Sequence, residues 1–151
     1  MIGSLTQEEK EDVAKAAKNG ISLLDIRVAD DAESVSTKLL FEGFSRALEG
    51  AKSLSEGERR NQIVNLLGIA FGQFIVWEAG WNWSWFISEA DLMELCVTDP
   101  DQHYLALPLA NMWSLFNGNT HTLELHFRMI KGKKLPPAKT GELILLSPAH
   151  V

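Results

Sequence analysis

The hydrophobic and polar positions of the chain are organised around one stretch, residues 61–88. No charged residue occurs between Arg60 and Glu78, so the helix that this stretch predicts lacks the polar face of an ordinary amphipathic helix. Ala79-Gly80 is a suitable end for it, because glycine readily adopts the left-handed conformation that closes a helix. We therefore expect a helix in the middle of the fold, with other elements on most of its sides.

The start of this helix and its small residues add two expectations. Ser55 followed by Glu58 has the spacing of a capping box, which predicts the N-terminus. Small or amide residues recur along one narrow stripe of the helix: Asn61, Asn65, Gly68 and Gly72. Each glycine costs about 1 kcal/mol relative to alanine in a helix. The stripe therefore predicts the close approach of another backbone.

The residues that follow Gly80 alternate with the period of a strand. Trp81, Trp83 and Trp85 occupy one face, while Asn82 and Ser84 mark the other face as polar. We expect the tryptophan face to pack on the central helix, with Met93, Leu95 and Val97 of the next strand on one side. Two return strands, 92–98 and 103–107, are separated by turns at 88–91 and 99–101. The pattern predicts a three-stranded antiparallel meander.

Periodicity and end signals predict four more helices. They run from the Thr6–Glu9 capping box to about Lys18, and over 33–49, 109–116 and 120–131. We expect the first helix to end at Asn19-Gly20 and the second to end at Gly50. The third is expected to begin at Pro108 and to end at Asn117-Gly118. Residues 120–131 also alternate like a strand, and helix is the preferred reading. Residues 21–28 stay ambiguous between a short helix and an extended segment.

Together these elements predict a single α+β domain over residues 1–151. Its parts are a helical N-terminal half (1–55), the central helix with the meander (56–131) and a tail (132–151) whose apolar run 143–146 docks on the body. Helices are expected to back the meander. One domain is the size that 151 residues favour.

Charge narrows the range of partners. The net charge of −6 disfavours nucleic acid, whose phosphates need a cationic face. The chain has no lysine or arginine from Asn61 through Phe127, and five basic residues then follow from Arg128 to Lys139. No secretory signal opens the chain, and the uncharged stretch 61–77 is shorter than a membrane span. A cytoplasmic protein that contacts neither nucleic acid nor membrane is the expectation.

Part of the chain resembles a known family. Residues that carry the resemblance are Leu67-Gly68-Ile69-Ala70-Phe71-Gly72, Gly80-Trp81-Asn82-Trp83, Leu107-Pro108, Met112-Trp113 and Gly118. Over about residues 58–131 this pattern resembles the bacterial domain-of-unknown-function family numbered 3806. The chain departs from that pattern at Trp81 and Trp85 and in its few basic residues near 113–118. The resemblance implies a glycine-bearing helix, a tryptophan strand, a hairpin and a proline-led return, and no activity.

Residues with catalytic or metal-binding potential are sparse. Cys96 is the only cysteine, which excludes an intramolecular disulfide and a cysteine-based zinc cluster. Its one plausible base is His103, and nothing beside it predicts a lowered thiol pKa. His121 and His126 do not converge on a common ion, so the histidines are read as solvated surface residues. No nucleophile elbow, phosphate loop or dinucleotide fingerprint is present. We expect no catalytic site, no metal and no cofactor.

The acidic turns and the tryptophans favour a binding function. Carboxylates at the hairpin turns attract a basic partner, and an indole at the surface can anchor it. The predicted partner-binding residues are Glu89, Asp91, Glu94, Asp99, Asp101, Trp81 and Trp85.

The preferred hypothesis is a non-catalytic protein-binding domain, specifically an immunity protein that neutralises a cognate bacterial toxin by occluding its active site. One alternative is a small-molecule or peptide-binding module with its pocket between sheet and helices. Another is a hydrolase that uses the turn carboxylates. Self-association is compatible with each of them.

Overall fold

The computed structural model describes residues 1–26, 36–118, 122–139 and 141–146. Its helices are α1 (Gln7–Ser22), α2 (Thr37–Lys52), α3 (Glu58–Ala79), α4 (Pro108–Phe116) and α5 (Thr122–Lys131). Its strands are β1 (Ile2–Gly3), β2 (Asn82–Ile87), β3 (Met93–Thr98), β4 (Tyr104–Ala106) and β5 (Ile144–Leu146). The predicted α+β fold is confirmed.

The sheet contains the predicted meander and one strand beyond each side of it. Its order is β1-β2-β3-β4-β5, antiparallel throughout except for the parallel pair β4–β5. In the β2–β3 register Trp83 lies opposite Val97. The apolar run of the tail docks as predicted, since β5 pairs with β4 and Ile144 N donates to His103 O at 2.7 Å. β1 was not predicted, because two residues are too few to show a period.

Helix α3 is the central element, as predicted. It packs against each of the other four helices and against β2 and β3. Val64, Phe74 and Ile75 are fully buried along it. The expectation of a helix without a solvent face is wrong at its ends, where Gln62 and Trp77 are exposed. By length and composition alone α3 would also suit a membrane span, as the core helix of a soluble protein does.

The glycine stripe of α3 is a close-contact surface: the predicted approach of another backbone is confirmed at Gly68, whereas side chains occupy the space at Gly72. A Cβ at Gly68 would lie 2.8 Å from Cα of Leu109 in α4. A Cβ at Gly72 would lie 2.3 Å from Cη2 of Trp83. The amide of Asn65 belongs to the same contact, because its Oδ1 accepts a hydrogen bond of 2.8 Å from Trp113 Nε1.

The predicted end of α1 is wrong. The helix continues past Asn19-Gly20 to Ser22. Gly20 is an interior position at which α1 crosses α3 so closely that a Cβ would lie 2.2 Å from Leu66 O. The glycine therefore serves helix packing and not helix termination.

Two other helix ends also differ from the prediction. Helix α2 begins at Thr37 and runs through Gly50 to Lys52; positions 33–35 of its predicted range lie outside the described residues. The predicted Ser55 capping box is wrong, because the N-cap of α3 is Gly57, which has no side chain to cap with. Glu58 is consequently the first helical residue.

The remaining helix signals are confirmed. Gly80 closes α3 in the left-handed region with φ 72°. Pro108 is the first residue of α4, and that helix ends before Asn117. The preferred helix for 120–131 is α5 from Thr122, and positions 120–121 lie outside the described residues.

Candidate functional site

The predicted acidic edge is divided into two groups. In an antiparallel meander successive turns lie at opposite ends of the shared strand. Three of the five carboxylates belong to the β2–β3 end and two to the β3–β4 end: Glu89, Asp91 and Glu94, then Asp99 and Asp101. The nearest members of the two groups, Glu94 and Asp99, are five positions apart along β3, about 17 Å at 3.3 Å per residue. The predicted acidic edge is therefore two groups at opposite ends of β3, and whether one partner contacts both stays a prediction.

The β2–β3 connection, residues 88–94, carries two exposed apolar side chains. We call it the hairpin tip. The side chain of Leu92 is 70% exposed and that of Met93 is 56% exposed. Glu89, Asp91 and Glu94 are exposed around them. The strand alternation predicted Met93 on the same side as the buried Val97, so its exposure was missed. A leucine directly after an acidic turn is the sequence signal that could have revealed this patch.

Hydrogen bonds hold the hairpin tip in one conformation. Ser88 N donates to Leu92 O at 2.9 Å, and Leu92 N donates to Ser88 Oγ at 3.2 Å. Asp91 adopts the left-handed region with φ 60° and donates its N–H to Ser88 O at 3.0 Å. A turn closed in this way presents its side chains without a large ordering cost on binding.

Trp81 is not a surface anchor, which corrects the prediction. Its side chain is 5% exposed and belongs to the hydrophobic core. The ring stacks on Tyr104 with centroids 6.5 Å apart. It is buried because it precedes β2 on the face that packs against α3.

Trp85 is partly buried and tied to the start of α1. Its indole nitrogen is buried and makes no hydrogen bond within the described residues, although it is near enough to the Glu9 carboxylate to influence that group's pKa. That carboxylate completes a capping box with Thr6, whose N–H donates to Glu9 Oε1 at 2.8 Å. The Thr6 backbone bond, followed by the Trp85 indole, lowers the pKa of Glu9. Trp85 is therefore not a fully exposed anchor, because its ring is partly buried and its polar atom is covered.

Beside β2, where β1 departs after the Gly3–Trp85 pair, a cleft of about 430 Å³ opens along the edge of the strand and is lined by residues from both faces of the sheet. We call it the Trp83 cleft. Among its lining residues are Lys10 from α1, Val76 from α3, Asp99 after β3, and Trp83 itself. Trp83 is held from the helix side, because its Nε1 donates to Gln73 Oε1 at 3.1 Å.

Two hydroxyl residues of the sheet also line this cleft. Ser84 is 7% exposed and Thr98 is 2% exposed. Because Thr98 lies opposite Asn82, Ser84 is its diagonal neighbour on the same face, about 7 Å away. Neither hydroxyl oxygen is among the buried, unbonded side-chain atoms of the described residues, so both remain open to water. The prediction that Ser84 marks a solvent face is wrong, because this position is covered.

Cys96 has the environment of a structural thiol. It is fully buried and lies opposite Ser84 in the sheet. Burial, reinforced by the nearby Glu94 charge, raises the pKa of the Cys96 thiol to about 12. The β3–β4 register places His103 beyond Thr98, several residues along the strand from Cys96. A cysteine–histidine pair is therefore not formed.

One group of metal-ligand residue types was not predicted from the sequence. Ligand atoms of Asp99, Asp101 and His103 lie within 4.8 Å of one another. Asp99 Oδ1 already accepts the N–H groups of His103 and Tyr104, both at 2.7 Å. That pairing organises the β3–β4 turn, and we assign the group to turn structure.

The prediction that the histidines are solvated surface residues is wrong for His126. His126 lies on the inner side of α5 and is 4% exposed, so it is not a solvated surface histidine. Position 121 lies outside the described residues.

Comparisons with known proteins add no relative. No protein-family model matches the chain, and no curated protein or solved structure matches it. The resemblance to the family numbered 3806 stays a prediction.

Proposed function

We propose that this protein is a non-catalytic protein-binding domain that contacts its partner through the hairpin tip. The observation that carries the proposal is the exposure of Leu92 and Met93 on an ordered turn. Exposed apolar side chains that are ringed by polar groups are typical of interaction sites. Burying two such side chains contributes about 1.5–3 kcal/mol each to association.

The charges at the tip indicate the chemistry of the partner. Glu89, Asp91 and Glu94 surround the apolar pair and outnumber the one cation beside it in the described residues, the N-terminal ammonium of Met1, which donates to Ile87 O at 3.2 Å. A rim of one sign accelerates encounter with a surface of the opposite sign. The partner is accordingly a protein with a basic surface.

The finer proposal is an immunity protein that acts in the cytoplasm and neutralises a cognate bacterial toxin. Toxins that act on nucleic acid need a basic cleft to hold phosphates. A protruding turn with carboxylates around an apolar centre complements such a cleft in shape and charge. Occupation of the cleft by the hairpin tip would exclude the substrate.

The division of the acidic edge bears on the hydrolase alternative. Carboxylate pairs in glycosidases are about 5–10 Å apart. A pair with one member in each group would span at least about 17 Å along β3, and this arrangement is excluded. The small-molecule or peptide-binding alternative has a specific observation in its favour, the Trp83 cleft.

A growth-protection assay tests the proposed function. The adjacent open reading frame is expressed as the candidate toxin, together with the wild-type chain or with the variant Leu92→Ser/Met93→Ser. The wild type is expected to restore growth and the tip variant to fail. Leu39→Ser is the matched control, because Leu39 is 54% exposed on α2, away from the tip. A frame product without toxicity, or equal protection by the tip variant, would contradict the proposal.

A further inference from the structure

We propose that Met93 of the hairpin tip is a reversible oxidation site, at which a peroxide converts the thioether to a sulfoxide and thereby weakens partner binding. The effect on binding rests on the proposed function, whereas the oxidation of Met93 does not. The starting point is the position of the exposed methionines, which lie side by side at one end of the sheet.

A row of three apolar side chains crosses the sheet beside the hairpin tip. Ile87, the last residue of β2, is the register partner of Met93. On its other side, Ile87 donates its N–H to Met1 O at 2.8 Å and accepts from Met1 N at 3.2 Å. Residues directly opposite each other in antiparallel strands share one face, with Cβ atoms about 5 Å apart. Two thioethers therefore flank one isoleucine on the same face.

Exposure divides the four methionines of the chain. Met1 is 82% exposed and Met93 is 56% exposed, both in this row. Met112 of α4 is fully buried in the hydrophobic core, and Met129 of α5 is half-buried. A dissolved oxidant has to reach the sulfur, so the exposed thioethers react before the buried one. The hairpin tip is consequently where an oxidant modifies this protein first.

Hydrogen peroxide supplies both the oxygen atom and the oxidising equivalents. A lone pair of the Met93 sulfur attacks one peroxide oxygen, the O–O bond breaks, and a sulfur–oxygen bond forms. The released hydroxide takes the proton from the oxygen that is now bound to sulfur and leaves as water. The sulfur loses two electrons and the peroxide gains them. Methionine sulfoxide reductases reverse the modification, with a dithiol that becomes a disulfide while the oxygen leaves as water.

Oxidation changes the property that makes the tip suitable for binding. A thioether is apolar and polarisable, and methionines at binding surfaces adapt to the shape of a partner. A sulfoxide is polar, so burial against the partner costs the hydration of its oxygen. Glu89 and Glu94 keep their charge. The oxidised tip should therefore still be steered to a basic partner, and the complex should dissociate faster.

Peptide mass spectrometry of the full chain, treated with hydrogen peroxide in the folded state, tests the oxidation. Met1 and Met93 are expected to gain one oxygen at least about tenfold faster than Met112, whose sulfur becomes accessible only when the fold opens. In urea the rates should become equal. Equal rates for Met93 and Met112 in the folded protein would overturn the proposal.

Variants test the effect on binding, with the purified product of the adjacent open reading frame as the partner. Peroxide treatment should raise the dissociation rate constant of the wild type about tenfold, and a sulfoxide reductase should restore it. Met93→Leu keeps the apolar volume and has no sulfur at this position, so it should bind normally and respond little to peroxide. Met129→Leu, on α5, is the matched control and should lose affinity on oxidation as the wild type does.

Two results would overturn the effect on binding. One is an unchanged dissociation rate after Met93 has been oxidised, and the other is an equal loss of affinity in the wild type and in Met93→Leu. Failure of the reduced wild type to bind would overturn the proposed function and, with it, the effect on binding. The mass spectra would still decide whether Met93 is an oxidation site.

Discussion

The indole of Trp83 fills the space that Gly72 leaves open on α3. A methyl group at position 72 would lie 2.3 Å from Cη2 of the ring and 2.8 Å from Cγ of Pro108. Both are well below van der Waals contact. Glycine inside a helix costs about 1 kcal/mol relative to alanine, and here the packing of β2 and α4 on the helix offsets that cost.

Gly72→Ala is therefore expected to lower the free energy of unfolding by about 1–3 kcal/mol, because overpacking outweighs the gain in helix propensity. The matched control is Gly50→Ala in α2, where the described chain places no heavy atom within 4 Å of the new Cβ. It should raise the free energy by about 0.5–1 kcal/mol. Urea unfolding measures both. A Gly72→Ala protein as stable as the control would contradict the close fit.

Gly20 allows a second test, which separates two readings of one glycine. If it ended α1 in the left-handed region, Asn would replace it better than Ala. In the structure it is an interior residue against Leu66 O, so both replacements should destabilise the fold and Asn more than Ala, since it is larger. Thermal unfolding of Gly20→Ala and Gly20→Asn gives the order. The reverse order would restore the reading of Gly20 as a helix end.

These two glycines illustrate what the sequence could predict. At Gly68 and Gly72 the surrounding residues are strongly helical and apolar, so the cost of glycine predicted a close packing partner. The predicted backbone approach is confirmed at Gly68, and at Gly72 the partner is the Trp83 ring. At Gly20 the preceding Asn19 supplied a plausible local signal for a helix end. The close approach of Leu66, which lies 46 positions further along the chain, could not be inferred from the residues near Gly20.

The candidate sites were less predictable than the fold. The separation of the acidic residues into two groups could have been predicted from the meander, because its two turns lie at opposite ends of β3. The burial of Ser84 could not be inferred, because the polar alternation of β2 is the same whether or not another segment covers that face. The position of Lys10 beside the Trp83 cleft could not be predicted either, since a single lysine on an amphipathic helix is ordinary.

The thiol of Cys96 should be unreactive in the folded protein. Its pKa is raised to about 12 by burial and by Glu94, so almost no thiolate exists near neutral pH. Ellman's reagent should react at pH 8 only as fast as the chain unfolds, and at once in urea. Fast labelling of the native protein would contradict the buried position.

The same shift makes stability depend on alkaline pH. Above the unfolded thiol pKa of about 8.5 the unfolded chain loses a proton that the folded chain retains up to about 12. The contribution of Cys96 is therefore complete below the unfolded pKa and is lost as pH rises through that window. Cys96→Ala should show a shallower alkaline decline than the wild type in urea unfolding. Parallel declines would contradict the raised pKa.

Glu9 should influence the stability of the fold at acidic pH. The bond from the Thr6 backbone, followed by the Trp85 indole, lowers its pKa. A carboxylate of this kind stabilises the fold above its unfolded pKa of about 4.3 and loses that effect as pH falls through the folded value. Glu9→Gln should flatten the loss of melting temperature at acidic pH. Glu11→Gln, an exposed position on the same helix, should leave the profile unchanged, and equal profiles for all three proteins would contradict the capping role.

Charge at the hairpin tip should govern association kinetics with the partner. Glu89→Lys/Glu94→Lys reverses two exposed carboxylates and avoids Asp91, whose positive φ makes substitution costly. Surface charges of this kind contribute under about 1 kcal/mol to folding, so the melting temperature should hardly change. The association rate constant should fall about tenfold or more at low salt, because rim charges act through long-range attraction.

Asp101→Lys is the control for that variant, since Asp101 is exposed at the opposite end of β3. Stopped-flow association with the purified partner at low and high salt compares the three proteins. The wild type and the Asp101 variant should both slow steeply as salt screens the attraction, whereas the tip variant should respond weakly. If reversal at Asp101 slows association as much as reversal at the tip, the net charge of the whole chain steers the encounter and not the hairpin tip. Equal rates for all three at low salt would remove electrostatic steering from the interface altogether.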